Sequence, residues 1–170
     1  VLCEAAPHRP EGRCMAASKQ PAELPSLEER WRFVESTLRK APTIKIVPML
    51  GSLGCPYTCS FCIDSTVDYQ PLSFPQLRAD LTFLLTKMKH PIVGWHDPNF
   101  GVRFDDYMEA VESSVPQGRM RHIAESSLSL LSEPHLKRLQ KNGFQAILPG
   151  IESWYDLGNK SKTRRTGMDK

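Results

Sequence analysis

The amino-acid sequence predicts an α/β fold with a parallel sheet. Four short runs rich in β-branched or apolar residues are separated by segments whose apolar residues have helical spacing. Strands that alternate with helices of about 10 to 15 residues are typical of βαβ units, which place their strands parallel. The length of 170 residues, with 40% hydrophobic and 24% charged residues, indicates one globular domain. These patterns alone do not separate a barrel from an open sheet.

The first predicted helix spans residues 26–40 and follows a leader without periodicity. Residues 1–25 contain four prolines and scattered charges, so we expect a disordered leader or linker there. Ser26 followed by Glu29 forms a capping-box pattern, which marks a helix start. Apolar residues then recur on one helical face, at Leu27, Trp31, Val34 and Leu38.

The first predicted strand is the β-branched run 43–47, and three rounds of helix and strand follow it. The second helix starts at Ser73 with Pro75 in its first turn, the third covers 104–115, and the fourth starts at Ser132. The remaining strands are expected at 92–95, 120–124 and 144–148.

Polar or glycine-rich sequence follows each of the four predicted strands. In parallel α/β folds, ligands bind at the carboxyl ends of the strands. We therefore expect the segments that follow the strands to line one site. These segments are 51–55, 96–99, 125–127 and 149–153.

Charge and hydropathy argue against several classes of protein. The net charge of +3, from 22 basic and 19 acidic residues, is too small to indicate a nucleic-acid partner. No apolar run approaches the roughly 20 residues of a membrane helix, and the N-terminal residues contain no signal-peptide core. The sequence therefore predicts a cytoplasmic protein with no membrane partner.

Three of the five cysteines, Cys55, Cys59 and Cys62, lie within eight residues. A loop this short can bring three thiolates to one metal centre, and thiolates are soft ligands that select zinc or iron–sulfur clusters. A structural zinc site requires four ligands, and Cys3 and Cys14 lie in the leader without zinc-knuckle spacing. Three ligands leave one position open, as a reactive centre requires. A non-catalytic zinc-binding or interaction module is the alternative.

The CxxxCxxC spacing after the first strand, with Phe61 before the last cysteine, resembles the radical S-adenosylmethionine (radical SAM) superfamily. The resemblance implies that Cys55, Cys59 and Cys62 bind a 4Fe-4S cluster whose fourth iron is chelated by S-adenosylmethionine. One electron from the cluster cleaves that cofactor to methionine and a 5′-deoxyadenosyl radical in the family. Phe61 would then pack near the adenine. The resemblance leaves radical chemistry and methyl or methylthio transfer open, and it identifies no catalytic residue.

The resemblance also implies cofactor contacts after the second and third strands. Asp97 and Asn99 stand where many members carry Gly-Gly-Glu, so they are candidate cofactor or substrate ligands, although Asp-Pro-Asn is also typical of an ordinary turn. Glu125 and Ser126 follow the third strand, where the family often places a polar contact to the cofactor. A solvated loop or a helix cap is the alternative there.

After the fourth strand, Gly150, Glu152 and Ser153 resemble a Gly-Ile/Val-Glu-Ser segment of the cobalamin-associated radical SAM group. A polar side chain at that point commonly meets the ribose or the carboxylate of the cofactor in the family. A carboxylate in a pocket at a strand end would otherwise be desolvated without an evident partner, so a cofactor contact is favoured for Glu152 and Ser153.

The family fold is a partial TIM-type barrel of six βα units, and this sequence predicts four strands. The resemblance implies an incomplete (βα)6 barrel, in which residues 26–170 form the N-terminal two-thirds of a radical SAM core and 43–170 its βα units. The expected cofactors are the 4Fe-4S cluster and S-adenosylmethionine, with cobalamin only through a domain outside this chain. The expected partners are an electron donor, such as a flavodoxin or ferredoxin, and a substrate that the sequence does not identify.

Overall fold

The computed structural model describes residues 25–41, 43–57, 59 and 61–150. The predicted leader, apart from Pro25, and the candidate site residues Glu152 and Ser153 lie outside the described residues. Within them, the elements in chain order are α1 (Leu27–Lys40), β1 (Ile46–Met49), β2 (Ser52–Leu53), β3 (Gln70–Pro71), α2 (Phe74–Lys87), β4 (Ile92–Trp95), α3 (Phe104–Ser114), β5 (Arg121–Ser126), α4 (Glu133–Lys141) and β6 (Phe144–Pro149).

The main sheet has four parallel strands in the order β1, β4, β5, β6. Each successive pair is connected through a helix, α2 between β1 and β4, α3 between β4 and β5, and α4 between β5 and β6. This arrangement confirms the predicted mixed α/β class with a parallel sheet. Because the strands are parallel, all four carboxyl ends lie at one edge of the sheet.

β1 differs from the predicted strand, which began three residues and ended two residues too early. Ile46 pairs with Ile92 and Met49 with Trp95, so the parallel register places the strand at 46–49 rather than 43–47. The residues that pack into the core are Val47 and Met49, whereas Ile44 is 65% exposed. β1 is an edge strand of the described sheet, where a proline such as Pro48 is tolerated because an outward-facing N–H is not needed.

β5 also differs from its prediction, because it covers 121–126 rather than 120–124. Its last residue, Ser126, pairs with Pro149 of β6. Pairing with β6 therefore extends β5 to the polar residues Glu125 and Ser126, which were predicted to lie in a loop. β4 has the predicted bounds.

A small antiparallel pair, β2 with β3, was not predicted. Ser52 pairs with Pro71 and Leu53 with Gln70, although 16 residues separate the two strands. Two-residue strands carry no periodicity that a sequence pattern could reveal.

The predicted capping box at the start of α1 is confirmed. The Ser26 hydroxyl accepts a hydrogen bond from the Glu29 N–H at 3.1 Å, and the Glu29 carboxylate accepts one from the Ser26 N–H at 2.7 Å. Ser73 and Ser132 occupy the predicted N-cap positions of α2 and α4, but their side chains make no capping hydrogen bond. Proline follows each serine two residues later, which removes one of the N–H groups that a cap would satisfy.

The core lies between the sheet and the helices and contains an aromatic group at its centre. Trp95 of β4 packs against Phe100 with ring centroids 5.4 Å apart and against Tyr107 of α3 at 5.5 Å. Phe144 of β6 joins the group through Phe100. No helix in the described part of the chain is long and apolar enough to cross a membrane.

Candidate metal centre at the strand ends

The three clustered cysteines lie on an excursion of the chain that begins where β1 ends. The excursion leaves the sheet at Gly51, and β2 and β3 pair with each other at its base. The Leu72 N–H donates a hydrogen bond of 2.9 Å to the Gly51 carbonyl, which brings the two ends of the excursion together. Cys55, Cys59 and Cys62 form no disulfide bond among the described residues and are all partly buried. We call residues 51–72 the cysteine loop.

Ser65 organises the second half of the cysteine loop. Its hydroxyl donates hydrogen bonds to the carbonyls of Cys59 and Cys62, at 2.9 and 2.6 Å. The Cys62 N–H donates to the Cys59 carbonyl at 3.2 Å, and a 3-10 helix over Ile63–Thr66 follows. These bonds hold the backbone around the second and third cysteines in one compact turn.

Gly54 has a positive φ of +65° immediately before the first cysteine. A Cβ at this position would lie 2.5 Å from the Val67 carbonyl oxygen and 2.7 Å from that of Asp68. Glycine is therefore required both by the left-handed backbone and by the close approach of the returning chain. The loop can fold back onto the residue that precedes Cys55 only because no side chain is there.

Burial and neighbouring groups disfavour the Cys55 thiolate. Burial is the largest cause that raises the pKa of Cys55, and the charges of Cys59, Cys62 and Asp64 raise it further, against a backbone hydrogen bond from Tyr57 that lowers it. Asp64 also lies 3.7 Å from the Cys62 sulfur. Several groups that carry negative charge when ionised therefore share this loop, and a bound cation would neutralise them.

The donor set fits a soft metal centre, because three thiols occupy one loop and the charges of Cys59 and Cys62 act on Cys55. Among the residues that the structure describes, no three His, Cys, Asp or Glu side chains are grouped so that they could hold a metal ion. The donor type fits such a centre, but the three thiols as placed are not grouped around one point.

Asp97 lies at the carboxyl end of β4 and is fully buried. Its carboxylate accepts hydrogen bonds from the Gly51 N–H at 3.1 and 3.2 Å and from the Ser52 hydroxyl at 2.7 Å. The Tyr107 hydroxyl donates a further bond of 2.6 Å. Burial raises the pKa of Asp97, and these hydrogen bonds oppose the increase. This predicted cofactor or substrate ligand therefore contacts the base of the cysteine loop.

Asn99 and Ser126 meet between the ends of β4 and β5. The Ser126 hydroxyl donates to the Asn99 side-chain oxygen at 3.2 Å, and the Gly101 N–H lies within hydrogen-bond distance of both. The Gly150 N–H donates to the Ser126 carbonyl at 3.0 Å, which adds the end of β6. The structure thus brings these three predicted site residues together, on three successive strand ends.

Two other predicted site residues point to solvent. Phe61 is 45% exposed, and Glu125 is exposed next to the buried Ser126. Glu125 is exposed and Ser126 is buried because successive side chains of β5 point to opposite faces of the sheet.

Three residues at the base of the cysteine loop were not predicted to line the site, namely Tyr69, Arg103 and Tyr107, whereas Ser52 belongs to segment 51–55, which was. The Arg103 guanidinium stacks on the Phe74 ring at 3.9 Å and donates to the Leu72 carbonyl at 3.4 Å. The Tyr69 hydroxyl is buried without a hydrogen-bond partner among the described residues, and burial raises its pKa to about 12. Tyr107 lies on the apolar face of α3, so its pattern resembled that of an ordinary core residue.

No protein-family model matches the chain, and no curated protein matches it.

Proposed function

We propose that this chain forms the core of a radical SAM enzyme in which Cys55, Cys59 and Cys62 bind a 4Fe-4S cluster. The observation that carries the proposal is the position of the cysteine loop: it leaves the carboxyl end of β1, at the same edge of a parallel sheet where Asn99, Ser126 and Gly150 meet. Ligands of parallel α/β folds bind at that edge. A three-thiol motif and a ligand-binding edge are therefore combined in one place.

The fold within this proposal is the partial TIM-type barrel of the radical SAM superfamily. The four strands of the main sheet are parallel, follow one another in sequence order and are connected through helices, as in a βα barrel. β6 lies at one edge of the described sheet, so the addition of further strands there would continue the barrel.

The cluster, when bound, supplies the electron for reductive cleavage of S-adenosylmethionine and an open iron that holds this cofactor. Ser65 would hold the backbone of Cys59 and Cys62 in one turn during cluster assembly. The three thiols must ionise and turn toward one centre, and positive charge on the iron would offset the burial that opposes ionisation of Cys55.

Cofactor contacts in this proposal come from residues close to the loop. The exposed ring of Phe61 would stack on the adenine, and Asn99 and Ser126 would present polar groups at the strand ends. We assign Glu125, Gly150, Glu152 and Ser153 to the same cofactor, on the resemblance stated above. Any cobalamin would belong to a domain outside these residues.

The electron donor would approach the cysteine loop from solvent. The three cysteines are only partly buried, which fits reduction by a small cytoplasmic carrier such as a flavodoxin or a ferredoxin. The proposed centre serves either hydrogen abstraction by a 5′-deoxyadenosyl radical or methyl or methylthio transfer.

Anaerobic reconstitution with iron and sulfide tests the proposal. We expect visible absorption and an electron paramagnetic resonance signal of a reduced 4Fe-4S cluster in the unaltered chain, and loss of both when Cys55, Cys59 and Cys62 are replaced by alanine. A chain with Cys3→Ala and Cys14→Ala is the matched control and should retain the cluster. Stoichiometric zinc that survives purification, without a cluster after reconstitution, would instead identify a zinc-binding module.

A further inference from the structure

Gly51 connects the cysteine loop to the sheet through both of its backbone polar groups. Its N–H donates to the Asp97 carboxylate at 3.1 and 3.2 Å, and its carbonyl accepts from the Leu72 N–H at 2.9 Å. The bond to Asp97 attaches the start of the cysteine loop to the segment that follows β4. The bond from Leu72 attaches the end of the loop to its start. Both ends of the loop are therefore held at one residue.

The Asp97 carboxylate is shielded from water and occupied by protein donors. Ser52, which begins β2, donates its hydroxyl to the same carboxylate oxygen that receives the Tyr107 hydroxyl. A buried carboxylate is stable only when donors such as these compensate for the water that it has lost. Moving the base of the loop would break these hydrogen bonds and leave the buried Asp97 carboxylate without the donors that replace water.

Tyr107 keeps the turn at Gly51 against Asp97. A Cβ on Gly51 would overlap the Tyr107 ring, so the backbone of the loop base lies directly on that ring. The ring is 1% exposed and packs on Trp95 and Phe100 in the core. The base of the loop therefore lies on the buried aromatic group of the core.

We propose that Asp97 is a positioning residue for the cysteine loop, which sets the backbone from which Cys55, Cys59 and Cys62 are presented. Only three residues, Ser52, Leu53 and Gly54, separate the turn that Asp97 holds from the first thiol. The proposal rests on the proposed function of this loop as a cluster site. It assigns Asp97 to the loop, and not to the cofactor or the substrate.

The test compares Asp97→Asn with Asp80→Asn in the full chain. Asp80 is a second buried aspartate, 7% exposed, whose carboxylate accepts hydrogen bonds from Leu27 and Gln76 in α1 and α2. An amide at either position keeps the shape of the side chain and removes one buried carboxylate charge. At Asp97 both oxygens accept hydrogen bonds, so the N–H₂ group meets a protein donor, whereas at Asp80 both donors contact Oδ1 and the amide oxygen can still accept from them. Asp80→Asn therefore controls for loss of a buried charge, and only Asp97→Asn alters the base of the loop.

The readout is the rate at which N-ethylmaleimide alkylates each cysteine of the metal-free protein, measured by mass spectrometry of peptides under native conditions. We expect Asp97→Asn to speed alkylation of Cys55 by about tenfold, because loss of these bonds raises the population of the open loop. Asp80→Asn should leave this rate within about twofold of the unaltered chain even if it lowers global stability equally. Ser52→Ala removes one donor and should give a smaller increase.

Equal alkylation rates in the two aspartate variants would overturn the positioning role. If Asp97→Asn does not fold, Ser52→Ala decides the question, and an unchanged Cys55 rate in that variant would overturn the role as well. Iron bound per chain after reconstitution, recorded in parallel, separates the two proposals. An unaltered chain that binds no iron would contradict the cluster function, while the alkylation rates would still decide whether Asp97 positions the loop.

Discussion

The indole N–H of Trp95 donates a hydrogen bond of 3.2 Å to Nδ1 of His122 between the neighbouring strands β4 and β5. Because Nδ1 accepts this bond, the neutral ring carries its proton on Nε2, which has no partner within the described residues. His122 is fully buried and stacks on Phe144 at 4.7 Å. A proton added to Nδ1 would point at the Trp95 N–H, which is itself a donor, and the charged ring would lie in an apolar environment.

We therefore expect the protein to lose stability in mild acid through His122. Burial lowers the pKa of His122 from 6.5 to about 4, so between these two values the unfolded chain binds a proton that the folded chain does not. Stability contributed by the neutral ring is present above pH 6.5 and is lost as the pH falls toward 4. The loss between pH 7 and pH 4.5 should be about 2 kcal/mol.

Urea unfolding of His122→Gln at the two pH values measures this contribution. Glutamine can still accept from Trp95 but does not titrate, so the pH dependence of the free energy of unfolding should decrease by about 2 kcal/mol. His96→Gln, at an exposed position, should retain the full dependence. If the free energy of unfolding changed equally between the two pH values in the unaltered chain, His122→Gln and His96→Gln, the role of His122 would be refuted.

Two buried tyrosine hydroxyls should differ in their contribution to stability. Tyr107→Phe removes the donor to Asp97 and should lower the free energy of unfolding by about 1 to 3 kcal/mol, because a buried carboxylate loses a partner. Tyr69→Phe removes a hydroxyl that has no hydrogen-bond partner in the described structure, so it should be neutral or stabilising. Urea unfolding at neutral pH compares them, and a larger loss for Tyr69→Phe would contradict the assignment.

Gly54→Ala should disturb the cysteine loop more than its backbone angle alone explains. Gly118 has a similar φ of +76°, yet a Cβ there would meet nothing within 4 Å, whereas at Gly54 it meets the Val67 carbonyl oxygen at 2.5 Å. Gly118→Ala should therefore lower the free energy of unfolding by about 1 to 2 kcal/mol, and Gly54→Ala by more.

Iron content after reconstitution provides a second comparison of these alanine variants. We expect Gly54→Ala to bind less iron per chain, because the clash displaces the residue before Cys55. Gly118→Ala, which lies outside the loop, should bind as much as the unaltered chain. Equal iron in both variants would show that the close approach at Gly54 does not matter for the site.

The serines at two helix starts provide a further matched pair. Ser26→Ala removes a capping hydroxyl that accepts from the Glu29 N–H and should lower the free energy of unfolding by about 1 kcal/mol. Ser73→Ala removes a hydroxyl that makes no capping bond and should change it by less than about 0.5 kcal/mol. Thermal or urea unfolding of both variants checks the difference, and equal losses would contradict the capping assignment.

The helices were predictable because their signals are local. The capping box at Ser26 and Glu29 involves residues three apart, and the apolar spacing of α1 repeats within one helix. The position of β1 was not predictable in this way. Its bounds depend on pairing with Ile92–Trp95, which lies more than 40 residues away in the chain.

The amino-acid sequence by itself determined the α/β class, the order of the four helices and of the four strands of the main sheet, and the presence of three thiols in one loop after the first strand. Only the tertiary structure decided what Asp97 contacts. As part of an Asp-Pro-Asn segment it is equally typical of a ligand and of a turn. Its burial beneath Gly51, 46 residues earlier, depends on parallel pairing of β1 with β4, because that pairing places the two strand ends side by side.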